Sequence, residues 1–269
     1  TYGELGVYGG GNPNDSSGTI KYVRIAHGGT NIGADNEING LTMGGVGFGT
    51  KLEYVEVYCN NDDGFEWFGG TVNSRYLVSL YNNDDSFDID EGFTGLGQFW
   101  FSLQIDDGQN GDHGGEHDGT NGNMDNLDLG SLNGVEITGT GDDGIGIPVA
   151  YPTIYNATYI NSGSGDQSLK FEDSFGCDYY NSIFVVNSQG RFNDVGSNMH
   201  DRIAVGDCNY VNNSVIYNSS SVSNTSFKVK DANGVKPGDD GYITTYDSDF
   251  NSSLNTSLEG NGNVFTETN

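Results

Sequence analysis

Val55-Glu-Val-Tyr-Cys-Asn-Asn-Asp-Asp-Gly-Phe-Glu-Trp-Phe68 returns as Leu77-Val-Ser-Leu-Tyr-Asn-Asn-Asp-Asp-Ser-Phe-Asp-Ile-Asp90, at a constant offset of 22 residues. Each copy alternates apolar and polar residues, as at Val55/Val57 and Phe65/Trp67, and breaks at an Asn/Asp/Gly turn. That is the pattern of short half-buried strands separated by tight corners. A strand pair this short cannot bury its apolar face alone. Stacking copies at the β spacing of about 4.8 Å gives the inward residues one continuous column to share.

The repeat extends in both directions. Ile20-Lys-Tyr-Val-Arg-Ile25 matches Leu52-Glu-Tyr-Val-Glu-Val57 at offset 32, the excess fitting an insertion near 30–37. Downstream, Thr138-Gly-Thr-Gly-Asp142 matches Ser162-Gly-Ser-Gly-Asp166 at offset 24. Lys170-Phe-Glu-Asp173 matches Arg191-Phe-Asn-Asp194 at 21, and Cys177-Asp-Tyr-Tyr-Asn181 matches Cys208-Asn-Tyr-Val-Asn212 at 31. An antiparallel sandwich explains frequent strands but not matched turns at a constant offset. The expectation is an all-β chain, a right-handed parallel β-helix of about eight coils with loops inserted at corners. Residues 1–19 read as a lead-in continuing from coils that precede them. Residues 20–225 read as the β-helix, with an insertion at 106–131, and 226–269 as a last coil or cap.

Composition narrows the function. The 269 residues carry 38 Asp+Glu against 10 Lys+Arg, a net charge of −28, so no basic footprint for nucleic acid exists. No apolar run approaches the roughly 18 residues of a membrane span, so no membrane insertion is expected. Three cysteines without CxxC spacing exclude a disulfide scaffold or zinc ribbon. Strong acidity with abundant Asn, Gly, Ser and Tyr suits an extracellular or cell-surface protein kept soluble by charge repulsion.

The stretches Gly18-Thr-Ile-Lys-Tyr-Val-Arg-Ile25, Glu37-Ile-Asn-Gly-Leu-Thr-Met-Gly-Gly-Val46 and Asn61-Asp-Asp-Gly-Phe-Glu-Trp-Phe-Gly-Gly-Thr-Val-Asn73 together resemble large secreted or surface-exposed bacterial β-helix proteins. The resemblance covers residues 18 to about 120 best. It implies the β-helix fold, a surface location and further coils ahead of this block, and no established enzymatic activity. A Glu-x-Asp of that family, in the loop after its third strand, corresponds to Glu116-His-Asp118.

Four features are candidate sites. Asp62 and Asp63 should lie over Asp84 and Asp85, and Glu66 over Asp88, each pair one β spacing apart. Like charges at that distance repel by about 1 kcal/mol per pair even in water. Hard oxygen ligands so concentrated suit Ca²⁺, with Asp90 or Glu91 as further donors. The competing reading is a solvated turn whose side chains cap backbone N–H groups. The second candidate is the insertion holding Glu116, His117 and Asp118. Its His113-x-x-Glu116-His117 spells an inverted zinc-protease motif, but Gly114-Gly115 argues against the helix that motif needs. A loop holding a metal or another ligand remains, beside a plain surface loop. Third, alternation puts Lys170 and Arg191 on the outward column of Glu66 and Asp88, a possible glycan face with Tyr and Trp to stack on sugars. Fourth, the 31-residue offset brings Cys177 and Cys208 within disulfide range, against two stacked thiols as the alternative.

The reading is a non-catalytic structural or adhesive protein, calcium-stabilised, on a cell surface or in an extracellular filament assembled end to end. The alternative is a polysaccharide-binding or polysaccharide-degrading protein, by lyase or hydrolase chemistry. That alternative rests on analogy of fold.

Overall fold

The computed structural model of the chain describes residues 8–9, 11–33, 38–104, 111–119, 139–140, 146–147, 150–161, 167–172, 175–186, 191–195, 210–218, 227–229 and 262–267. Two parallel sheets dominate it. The first runs in spatial order through β1 (Thr19–Ala26), β3 (Lys51–Tyr58), β5 (Ser74–Leu80), β7 (Leu96–Gln104), β12 (Thr158–Asn161), β15 (Ile183–Val186), β18 (Val215–Asn218) and β20 (Val264–Glu267). Beside it pair β11 (Thr153–Tyr155), β14 (Asp178–Tyr180) and β17 (Tyr210–Asn212). The second sheet runs β2 (Leu41–Gly44), β4 (Phe65–Phe68), β6 (Phe87–Asp90), β8 (Gly115–Asp118), β13 (Gln167–Glu172), β16 (Arg191–Val195) and β19 (Phe227–Val229). A small antiparallel pair, β9 (Gly139–Thr140) and β10 (Gly146–Ile147), stands apart. The chain alternates between the two parallel sheets and returns each time one strand further on, which is a parallel β-helix. Among the described residues no helix is long and apolar enough to cross a membrane.

The 22-residue offset is the strand register: Val55 pairs with Leu77 and Phe65 with Phe87. The 32-residue offset holds as well, with Ile20 beside Leu52 and Ile25 beside Val57. Inward residues stack into one aromatic column. Phe65 lies on Phe87 at 5.4 Å between ring centroids, Phe87 on Trp100 at 4.8 Å, and Trp67 on Trp100 at 4.9 Å. All four rings are buried. Offset stacking at these distances adds about 0.5–1.5 kcal/mol per pair beyond the area buried.

The long strands of the first sheet bend in the middle, and the cause is local. Tyr22, Tyr54, Tyr76 and Phe99 all have φ between 55° and 57°. In β3, Leu52 points in, Glu53 and Tyr54 both point out, and Val55 and Val57 point in again. One left-handed residue thus inserts an extra outward position and resets the alternation. Left-handed backbone costs a non-glycine residue roughly 1–2 kcal/mol. Asn156, Asn181 and Asn213, which tolerate it better, have the same φ sign. They sit at the same bend between β11 and β12, β14 and β15, and β17 and β18.

Three expectations need correction. Lys170 pairs with Asp194, and Arg191 with Gln167, so the offset there is 24 and Arg191 is not on the column of Lys170. The Lys-Phe/Arg-Phe likeness misled because Phe171 lies opposite Val195. Tyr179 pairs with Val211, a register of 32 and not the 31 that would align Cys177 with Cys208. Cys177 is buried, while Cys208 lies outside the described residues, so the disulfide is left where the sequence put it. Finally, Gly115–Asp118 is no insertion loop. It is strand β8, paired with β6 on one side and β13 on the other. The match of 138–142 to 162–166 falls largely outside the described residues.

Candidate functional site

Strand pairing builds an outward column on the second sheet, Thr42, Glu66, Asp88, Glu116 and Lys170, and the register runs on through Asp194 and Lys228. At the corner before it, the motif Asn-Asp-Asp is held by a ladder of Asn side chains. The Asn60 amide donates to the carbonyls of Asp63 and Ile38, and the Asn60 N–H donates to Asn82 Oδ1 at 2.8 Å. Gly64 follows because nothing larger fits. A Cβ there would lie 2.4 Å from Ser79 Oγ and 2.7 Å from both Asn82 Nδ2 and the Ser86 carbonyl.

The inner corner aspartates do what the capping reading expects. Asp63 Oδ1 accepts the Asp85 N–H at 3.0 Å, and Asp85 Oδ1 accepts the His113 N–H at 2.6 Å. His113 therefore occupies, one coil on, the place of Asp63 and Asp85. Its ring Nδ1 also lies 2.9 Å from Asp85 Oδ1. Burial alone would lower the imidazole, but the Asp85 carboxylate outweighs it and carries His113 up to about 10. Burial pushes Asp85 upward, to about 7, with His113 pulling the other way. We hold the pair to be ionised at neutral pH, because the two share a direct hydrogen bond. Glu116 completes the group: its Oε2 is 3.5 Å from His113, and its Oε1 accepts a hydrogen bond from Lys170 Nζ. Burial would raise Glu116, but the lysine holds it below the usual range.

One coil earlier the described residues bring no such cation to the group Asp63, Glu66 and Asp88. Asp63, Glu66 and Asp88 place ligand oxygens within 4.8 Å of one another, and so do Asp62, Asp63 and Asp84. Among the described residues no cationic side chain pairs with Asp63, Glu66 or Asp88. Burial, reinforced by the neighbouring carboxylates, raises Glu66 to about 8 and puts Asp63 and Asp88 well above the ordinary range. Glu66 shares a hydrogen bond with Asp88 and accepts another from the Asn39 amide. Asp88 Oδ1 is buried with no hydrogen-bonding partner among the described residues. Such a site is stable only if it gains positive charge, either protons or a cation. Asp90 is outward two residues beyond Asp88 but belongs to neither group. Glu91 instead accepts a hydrogen bond from the Tyr8 hydroxyl.

The other expected site residues are dispersed. Glu116 and Asp118 face outward and form a fourth close group with Glu172. His117 faces the core between Ile89 and Phe171. Its ring Nε2 lies 2.7 Å from the Tyr179 hydroxyl, and burial drives it down to about 3, so it is a neutral core residue. The His-x-x-Glu-His string thus lies on extended chain with one histidine turned inward, and no zinc-protease face forms. The His113–Asp85 pair was missed by sequence reading. Its signal was present, since an offset of 28 lays Asp112-His113 over Asp84-Asp85 and Glu116 over Asp88.

No curated protein and no solved structure matches the chain. A family model does, the pectate-lyase-like β-helix domain, over residues 3–267 of the 269. Its name describes the winding traced above, and with nearly the whole sequence matched, the chain belongs to the pectate-lyase-like β-helix domain family.

Proposed function

We propose that this chain is an extracellular, non-catalytic β-helix, a stiff structural or adhesive rod whose consecutive coils are clamped by Ca²⁺ on the second sheet. We take the winding to be right-handed, the hand that crossovers between parallel strands adopt almost without exception. The observation that carries the reading is the group Asp63, Glu66 and Asp88. It draws three mutually close carboxylates from two adjacent coils, where the next coil supplies His113 and the one after it Lys170. A hard divalent ion tolerant of irregular oxygen geometry suits it. Display on a surface or in a filament draws on stiffness and on β1, the first described strand of its sheet. There Ile20, Tyr22 and Val23 are 36%, 78% and 39% exposed. Among the described residues no strand pairs with the other edge of β1, and an edge of that kind can take another copy end to end.

Melting in EGTA against millimolar Ca²⁺ at low salt tests this. A ligand at a hundred times its Kd adds about 2.7 kcal/mol, or roughly 5–10 °C for a chain of this size. Identical melting in both buffers would sink the calcium clamp. Light scattering with Ca²⁺ checks the filament, and only dispersed particles at high concentration would count against it.

A second reading has one observation in its favour. Glu66 keeps a proton near neutral pH while Glu116, two strands along the same column, is ionised. Two strand spacings put them roughly 10 Å apart, at the outer edge of the span of an inverting polysaccharide hydrolase. Release of reducing ends, lost in Glu66→Gln, would establish it over the structural reading.

A further inference from the structure

A groove of about 330 Å³ opens across the starts of β3, β5 and β7, on the outer face of the first sheet. Phe48, Lys51, Asn73, Arg75, Leu96 and Gln98 line it. Phe48 and Leu96 are 56% and 48% exposed, an apolar rim with nothing packed over it among the described residues. Between them runs the column Glu53, Arg75, Gln98. Glu53 is bound on both oxygens, by Lys21 at 2.7 Å and by Arg75 at 2.8 Å. Lys51, exposed beside it, has no carboxylate partner among the described residues. Of the lining residues Lys51 and Arg75 oppose one Glu53, so 2 − 1 = +1, on a chain of −28; close by, Lys21 bound to Glu53 and Asp15 beside Thr50 offset each other. Lys21, Arg24, Lys51 and Arg75 are the only lysines and arginines before residue 170.

We propose that this groove binds an acidic saccharide of one or two rings carrying a single carboxylate. Lys51 and the outer N–H groups of Arg75 receive the carboxylate. The guanidinium is held in place by Glu53 and lies 5.9 Å from the centroid of the Tyr76 ring. Asn73 uses its Oδ1 to accept the Leu96 N–H at 2.9 Å, which fixes the amide with its NH₂ available to a sugar hydroxyl; Gln98 offers a second carboxamide. Phe48 and Leu96 cover the apolar C–H face of a ring. The volume is at the small end of ligand pockets, enough for one or two sugars. The single charge follows from screening. Within a Debye length of about 8 Å the groove's positive charge dominates. A polymer acidic at every ring would extend beyond it, over a strongly negative chain.

Calorimetric titration of the intact chain with three probes on one skeleton tests this: cellobiose, cellobiouronic acid, and oligomers of β-1,4-glucuronic acid. Cellobiouronic acid should bind at least tenfold tighter than cellobiose, and lengthening the glucuronic oligomer should bring no gain. Lys51→Met, at an exposed position, should abolish the difference between the two disaccharides without shifting the melting temperature. Equal affinity for the two disaccharides, no binding by either, or an unchanged difference in Lys51→Met overturns the site. Affinity that climbs with each added acidic ring overturns the single-carboxylate assignment. Asp88→Asn, on the other sheet, should leave all three titrations unchanged, so this proposal and the calcium clamp fail separately.

Discussion

The two outer faces of this β-helix obey the same winding and handle charge in opposite ways. On the first sheet, unlike charges alternate from strand to strand. Lys21, Glu53 and Arg75 follow one another, as do Arg24 and Glu56 at 2.6 Å. Beside them four rings stack outside, Tyr22 to Tyr54 at 4.8 Å, Tyr54 to Tyr76 at 4.5 Å and Tyr76 to Phe99 at 4.9 Å. On the second sheet like charges stack instead, Glu66 on Asp88 on Glu116, until Lys170 ends the run. A solenoid repeats whatever it is given. A repeated aromatic therefore becomes a stabilising ladder, and a repeated carboxylate becomes a stored repulsion that something must discharge.

The largest effect should come from removing what discharges it. His113→Leu leaves Asp85 buried without its partner, and breaking a buried ion pair costs about 3–5 kcal/mol. Urea unfolding should show that loss at pH 8 and a smaller one at pH 5, where Asp85 can take a proton. A loss independent of pH would mean that His113 only fills space.

Next in size is the pH dependence of the metal-free chain. Glu66 in the fold titrates near 8, against about 4.3 when unfolded. Asp63 and Asp88 are displaced in the same direction. The folded state therefore holds protons that the unfolded state has lost. That stability is complete below about pH 4 and disappears as pH rises through about 8. In EGTA the melting temperature should fall from pH 5 to pH 8, and Ca²⁺ should flatten the slope. Glu66→Gln with Asp88→Asn should stabilise the EGTA form at pH 8 by about 1–3 kcal/mol and abolish the response to Ca²⁺. A rising melting temperature over that range would contradict the buried-acid description.

The ladder on the other face should respond more weakly. Tyr76→Asn removes two stacked contacts, yet asparagine suits the left-handed backbone that the tyrosine adopts at φ 57°. Gain and loss should nearly cancel, within about 1 kcal/mol by chemical unfolding. Smallest of all, Lys21→Met removes one exposed partner of Glu53 and should leave melting unchanged in 0.5 M salt.

How far the sequence could be read depended on the distance from the 22-residue repeat. Phe65 over Phe87 and Glu66 over Asp88 came directly from it, because strands joined by identical turns must pair at the repeat length. Lys170 with Arg191 and Tyr179 with Tyr210 were misaligned by three residues and by one. The connections there differ in length, and chance likeness filled the gap. An error of one residue is enough to exchange inside for outside in a strand. Glycine-rich Gly114-Gly115 hid β8, so His117 was read as a loop residue when it packs beneath Phe171 and Phe175.

The order of residues alone determined that coils would stack, which rings would meet inside, and that acids would gather along one edge. Each of these follows from alternation and from turns at equal spacing, which are local properties. Tertiary structure alone decided which acids meet a cation, that Tyr22, Tyr54, Tyr76 and Phe99 leave the interior together, and that Phe48 and Leu96 frame a groove. Those outcomes hang on backbone hydrogen bonds between coils and on one left-handed residue per bend. A two-fold alternation carries no mark of such a residue, yet it turns every side chain that follows.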